Sequence, residues 1–206
     1  VQTGAEKETA FYTKCFDTHG HTAKGVGWSS EASQKARFYE LEALTQWQGK
    51  TLCDVGCGLG DLYDFVKQRS PDTHYVGIDS HKDYVDQAKR AYPSGDFRCQ
   101  DLLTWDKKNQ FDVVVASGVF NIRRRNHYTY LSSCIQKMCE ISKKTVCFNV
   151  LKKPVGMEYS SPLFYYWSTS ELMGIVQKIA PSSKVAKRPE SDKEKRRSDI
   201  TVIIHV

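Results

Sequence analysis

Residues 54–61 read DVGCGLGD: Gly56, Gly58 and Gly60 alternate with other residues, and Asp54 and Asp61 stand at the two ends. The run follows the apolar start of a strand-like segment, where a first strand gives way to a first helix. Bare backbone at such a turn lets a ligand come close, and the free N–H groups of the following helix face it. The dinucleotide fingerprint G-x-G-x-x-G asks for a third glycine where this chain, counted from Gly56, has Asp61. An aspartate opening that helix repels a pyrophosphate. It suits a ligand that lacks phosphate and carries a positive group, and Asp54 adds negative charge on the same side.

The next motif is YVGIDSH, in which Asp79 ends a second strand nineteen positions after Gly60. A carboxylate there can accept both hydroxyls of a ribose. Two acids at a glycine turn and a ribose acceptor describe a nucleoside with a cationic, amino-acid-like tail, and S-adenosyl-L-methionine is such a molecule.

DVGCGLGD, GIDSH, CQDLL and FDVVVASGVF together resemble, in order and spacing, the successive motifs of class I S-adenosylmethionine-dependent methyltransferases. The resemblance covers roughly residues 49–151, and the closing SDITVIIHV looks like that fold's antiparallel last strand. It implies a Rossmann-like α/β/α sandwich with a seven-stranded, mostly parallel sheet, and S-adenosyl-L-homocysteine as product. It also implies roles at matching positions. Asp54, Gly56, Cys57, Gly58 and Gly60 would line the methionine part, and Asp79, Ser80 and His81 the ribose. Asp101 and Leu102 would meet the adenine, and Ser117, Gly118 and Val119 would pass beneath the methyl donor. Each has a plainer reading: Asp101 can cap the turn before Leu102, Ser117-Gly118 can be a tight strand exit, and Cys57 can be small filler. A Rossmann protein that is not a methyltransferase is the plainer reading of the whole set.

KGVGWSSEASQKARF, residues 24–38, is similar to a segment that precedes the core in some small, poorly characterised members of this class. There Lys24, Trp28 and Arg37 would be contacts, Trp28 as an apolar lid and Arg37 as partner of the methionine carboxylate. The competing reading packs Trp28 between helix and sheet and leaves Arg37 in solvent.

Methyl transfer to oxygen or nitrogen with a proton to lose also calls for a base or polariser. Asn121, His127 and Tyr128, just past the fourth strand, are the candidates. The [DNS]-P-P-[YFW] segment of amino-directed methyltransferases is replaced here by SGVF, without prolines. Acceptor selection would fall to the N-terminal loop and to KKPVGMEYSSPLFYYW, where Tyr159, Phe164, Tyr165, Tyr166 and Trp167 can enclose an aromatic ligand or merely seat the next helix. RRRNH, residues 123–127, points to an anionic acceptor. The expected function is methylation of a small molecule. Alternatives are a nucleic-acid or protein methyltransferase docking through basic clusters, and a non-catalytic binder of the same cofactor.

The elements that must position these residues alternate along the chain. Strand-like runs are 51–55, 75–78, 97–99, 111–116, 145–151 and 199–206, several nearly continuous in Val, Ile, Phe and Cys, as strands buried on both faces should be. Helical stripes lie between them: Leu62, Phe65 and Val66; Tyr84, Val85, Ala88 and Ala91; Leu131, Ile135 and Met138; and Leu172, Ile175, Val176 and Ile179, opened by a Ser168–Glu171 capping-box spacing. Ser29 or Ser30 caps a helix with Phe38, Leu41, Leu44 and Trp47, stopped by Gly49. The expected organisation is one domain, 1–206, with an N-terminal helical cap (1–48) on a Rossmann-like core (49–206).

The 206 residues, 40% hydrophobic and 26% charged with net charge +6, suit a globular α/β protein that docks no membrane span. Seven cysteines without a C-x-x-C read as reduced thiols in a cytoplasmic protein. No metal site is expected, with His19 and His21 taken as loop residues, and KEKRR at 193–197 reads as a solvated loop.

Overall fold

The computed structural model describes residues 4–154, 161–181, 183–186 and 199–206. Tyr159 and the Lys193–Arg197 cluster lie outside the described residues. The N-terminal cap consists of α1 (Gly4–His19), a 3-10 turn at Ala23–Val26 and α2 (Glu31–Thr45). The core then runs β1 (Thr51–Val55), α3 (Asp61–Arg69), β2 (His74–Asp79), α4 (Lys82–Ala91), β3 (Asp96–Cys99) and β4 (Phe111–Ala116). It continues through α5 (His127–Ile141), β5 (Ser142–Leu151), α6 (Thr169–Ile179), β6 (Lys184–Ala186) and β7 (Asp199–His205).

Among the described residues the strands form one seven-stranded sheet in the order β3-β2-β1-β4-β5-β7-β6. The first five strands pair in parallel, and β7 runs antiparallel between β5 and β6. Every segment with a strand-like run is a strand. The three-residue β6 carries too little alternation to be seen in the sequence.

Both faces of the sheet are covered, which is why the central strands tolerate no polar alternation. On β4, Val114 and Ala116 pack with Leu131, Ile135 and Met138 of α5 and Leu172 and Val176 of α6. Val113 and Val115 face the other way, onto Phe38 and Leu41 of α2, Leu62, Phe65 and Val66 of α3 and Val85 and Ala88 of α4. Chain order reverses between β1 and β4, so a crevice opens at their carboxyl ends, where ligands bind in such sheets.

Local signals explain two helix starts. Ser30 caps α2 by accepting from the Ser33 N–H, and Ser168 and Glu171 form a reciprocal capping box on α6. One stop is corrected: α2 ends at Thr45 and turns at Gln46, φ 50°, not at Gly49. Trp47 therefore lies beyond the helix, where it is fully buried and meets Phe65 edge-on. The Gly-rich stretch ahead of α2 is a capped 3-10 turn, with the Thr22 side chain accepting from the Gly25 N–H.

Candidate functional site

A cavity of about 370 Å³ opens at the carboxyl ends of β1, β2 and β4. The end of β1 contributes Asp54 and the turn after it Gly56, Cys57 and Gly58, and the exit of β2 contributes Asp79, Ser80 and His81. Asp101 and Leu102 follow β3; Ser117, Gly118, Val119 and Asn121 follow β4; Trp28 reaches in from the cap. These residues were expected at one site, and the fold brings them to one site.

Gly56 is required by close approach. Its φ is 71°, and a Cβ there would stand 2.5 Å from Cγ2 of Val119, so the turn and the β4 exit touch with no room for a side chain. The backbone N–H groups of Gly56 and Cys57 donate to the Ile78 carbonyl at 2.8 and 3.1 Å, which locks the turn to β2. The Asp79 carboxylate is aimed by two backbone donors, Gly58 N at 2.9 Å and His81 N at 2.8 Å, one on each oxygen. Each oxygen keeps a second lone pair for a ligand. Asp101 performs the plainer role and also lines the cavity: its Oδ1 accepts from the Leu103 N–H at 2.8 Å.

The wall is acidic. Glu8, Asp54, Asp61, Asp79 and Asp101 all line the cavity, against Arg124 and His81. Burial raises the carboxyl of Asp54 to about 7, although the hydrogen bond from Tyr75 pulls the other way. Burial also raises Asp61 and Asp79, and at Asp61 the bond from Gln34 Nε2 (2.8 Å) opposes it. Desolvated carboxylates gathered in one cavity favour a cation as occupant. Glycine backbone and carboxylate acceptors together fit a sulfonium nucleoside with an α-amino group.

The far wall is α1, which supplies Ala5, Glu8, Thr9, Phe11 and Tyr12. Thr13 Oγ1 lies 3.0 Å from His81 Nε2, and the Tyr84 hydroxyl donates to the Tyr12 carbonyl at 2.7 Å and the Gly25 carbonyl at 2.8 Å. At the other end Glu8 pairs with Arg124, and Phe11 meets Phe164 edge-on at 5.6 Å. None of the α1 residues entered the list of expected contacts. The signal available was the Glu8, Phe11, Tyr12, Cys15, Phe16 spacing of three and four, which marks one helix face.

Five expected contacts are placed elsewhere. Gly60 does not line the cavity; at φ 87° it starts α3 and backs onto Tyr92 and Phe97. Arg37 is buried, but its guanidinium serves Asp199 of β7 and the Ser33 carbonyl (2.6 Å) and stacks on Trp28 at 4.7 Å. A guanidinium so deep needs a carboxylate of the chain itself, and Asp199 is that partner. His127 lies outside the cavity lining, stacked on Tyr165 at 4.4 Å and Trp167 at 5.3 Å. Burial, helped by Arg123 and Arg124, lowers it to about 4. Tyr128 is also outside: its hydroxyl is 2.8 Å from that of Tyr165 and 3.0 Å from Oε1 of Glu171. Of the three polar candidates Asn121 alone reaches the cavity, and its Oδ1 accepts from the Leu151 N–H at 3.1 Å. Of the aromatic segment, Phe164 lines the cavity, while Tyr165 and Trp167 seat α5 and α6. Lys24 does not line it.

Arg123 is engaged through Nε with the Ser161 carbonyl at 3.0 Å and lies over Tyr165. All seven cysteines are free thiols. Among the described residues no His/Cys/Asp/Glu group is placed to hold a metal ion, and no helix is long and apolar enough to cross a membrane.

A family model described as a methyltransferase domain matches residues 53–138. Putative methyltransferase 235L of Invertebrate iridescent virus 6 is 25% identical over 143 residues, 61% of this chain and 53% of that protein. Putative methyltransferase Rv1506c of Mycobacterium tuberculosis is 30% identical over 105 residues, 48% of this chain and 61% of that protein. The chain thus spans less than two thirds of the length of these relatives. Magnesium protoporphyrin IX methyltransferase (ChlM) from Synechocystis, crystallised with bound SAH, superposes with a TM-score of 0.71 at 15% identity, covering 98% of each chain. At that identity the likeness is one of fold.

Proposed function

We propose that the chain is a class I S-adenosylmethionine-dependent methyltransferase and that it transfers a methyl group to a small organic acceptor held beneath α1. The observation that carries this reading is the acidic lining of a cavity built on a glycine turn. When bound, S-adenosyl-L-methionine supplies a methyl group on a positively charged sulfur. Asp79, aimed by Gly58 and His81, holds the ribose hydroxyls. Asp54, Gly56, Cys57 and Gly58 receive the methionine part, with Asp61 adding to the negative potential. Leu102 and Asp101 receive the adenine, and Ser117, Gly118 and Val119 form the floor between donor and acceptor.

The chain's contribution to rate is mostly positional. Holding two reactants at attack distance is worth up to ~7–11 kcal/mol. Trp28, Phe11, Val119 and Phe164 give the cavity apolar walls, and Asn121 presents an amide whose nitrogen can polarise an acceptor. A small acceptor is consistent with a cavity of about 370 Å³ that the donor must share.

Calorimetry tests the reading. S-adenosyl-L-methionine and S-adenosyl-L-homocysteine should bind and NAD should not. Asp79→Ala should weaken both by about a hundredfold, the loss of two hydrogen bonds to a charged acceptor. Undiminished binding by that variant would remove the ribose assignment. A screen of acceptors for release of S-adenosyl-L-homocysteine then separates an enzyme from a non-catalytic binder.

A further inference from the structure

Arg124 is the one guanidinium in the cavity wall among the described residues. Its cationic face lies 3.7 Å from the Tyr130 ring centroid, which fixes its plane. Among the described residues its side-chain hydrogen bond is to Glu8, through Nη2 alone. A guanidinium offers five donors in a planar fork suited to a bidentate carboxylate. Glu8 stands on α1, a helix none of whose residues is fully buried. Its carboxyl is raised by burial and further by the charges of Asp79 and Asp101, so it is an ill-placed anion held mainly by Arg124. Around the pair, Phe11, Val119, Tyr130 and Phe164 give apolar and aromatic walls.

We propose that Arg124 is the acceptor-recognition residue, that it takes the carboxylate of an aromatic or apolar monoacid, and that Glu8 occupies the same fork as an internal competitor until the acceptor displaces it. The proposal rests on the methyltransferase reading, because it calls this end of the cavity the acceptor end. A monoanion fits better than a phosphate dianion, since Asp79 and Asp101 already place negative charge near Glu8.

The test is calorimetry on the full chain saturated with S-adenosyl-L-homocysteine, using benzoate and phenylacetate as probes against benzamide, phenylacetamide and inorganic phosphate. Wild-type protein should prefer each carboxylate to its amide. Glu8→Gln should tighten carboxylate binding by about tenfold by removing the competitor, and leave amide binding little changed. Arg124→Gln should abolish the preference, and Arg124→Lys should restore only part of it, because an ammonium cannot form the fork. Thermal melts report whether each variant is folded; if Arg124→Gln is not, the Glu8→Gln comparison still decides.

Carboxylates and amides binding alike, no millimolar carboxylate binding even in Glu8→Gln, a preference that survives in folded Arg124→Gln, or phosphate binding ahead of the monoacids would each overturn the proposal. Failure of wild-type protein to bind S-adenosyl-L-homocysteine would instead strike the methyltransferase reading itself.

Discussion

The hydroxyl of Tyr75 donates a 2.5 Å hydrogen bond to Oδ2 of Asp54, and both groups are buried beneath the glycine turn. The Asp54 carboxyl titrates near 7 against an ordinary 3.8, because burial outweighs the Tyr75 bond. Between those values the folded chain keeps a proton that the unfolded chain has lost. The raised value therefore supports the fold at acid pH, and that support disappears as pH rises through about 7. A cationic ligand favours the ionised form, so its binding should expel a proton. Cofactor affinity should rise with pH up to about 7, and heats measured in two buffers of different ionisation enthalpy should differ there. Tyr75→Phe removes the pull on the carboxylate and should move the midpoint upward; an unmoved midpoint would assign the titration to another group.

Arg37 and Asp199 form an ion pair with both side chains almost wholly buried. Arg37→Ala leaves a carboxylate alone in the core and should cost about 3–5 kcal/mol. Arg37→Met, which fills the volume, still leaves Asp199 unpaired; pairing it with Asp199→Asn should recover much of the loss. Urea unfolding of the two single variants and the double variant measures this. A loss of cofactor affinity with stability intact would instead return Arg37 to the role that the sequence resemblance implied.

Gly56→Ala forces an L side chain into left-handed backbone and against Val119. The backbone strain alone is about 1–2 kcal/mol, a fall in melting temperature of several degrees for a chain of this size. Adding Val119→Ala relieves the contact and not the φ, so calorimetric melts should show partial recovery. Full recovery would mean that contact, not backbone, sets the requirement.

His127, held at about 4 against an ordinary 6.5, is neutral in the fold over a range where the unfolded chain is protonated. Its contribution is therefore present above about pH 6.5 and lost as pH falls toward 4. His127→Phe keeps the aromatic stack on Tyr165 and Trp167 and cannot take up a proton. Its stability should fall less steeply than that of wild type between neutral pH and about pH 5, a difference on the order of 1–2 kcal/mol. Parallel slopes in urea titrations at the two pH values would count against it.

The strand-and-helix alternation was legible because buried parallel strands are apolar on both faces and each crossover helix carries one stripe, so Phe111–Ala116 and the Leu131, Ile135, Met138 stripe declare themselves. The glycine turn and Asp79 were legible because backbone clearance and a carboxylate at a strand end are local requirements. Roles that depend on distant partners were not. Nothing near Arg37 in sequence announces Asp199, and His127 follows three arginines without showing that it stacks under Tyr165. α1 was hidden for a related reason: a helix that covers a cavity instead of a core has no need of a strong apolar stripe.

That same helix reaches from Thr13 at His81 to Glu8 at Arg124. One helix thus ties the two ends of the cavity wall together, and a variant that loosens either anchor should be felt at the other.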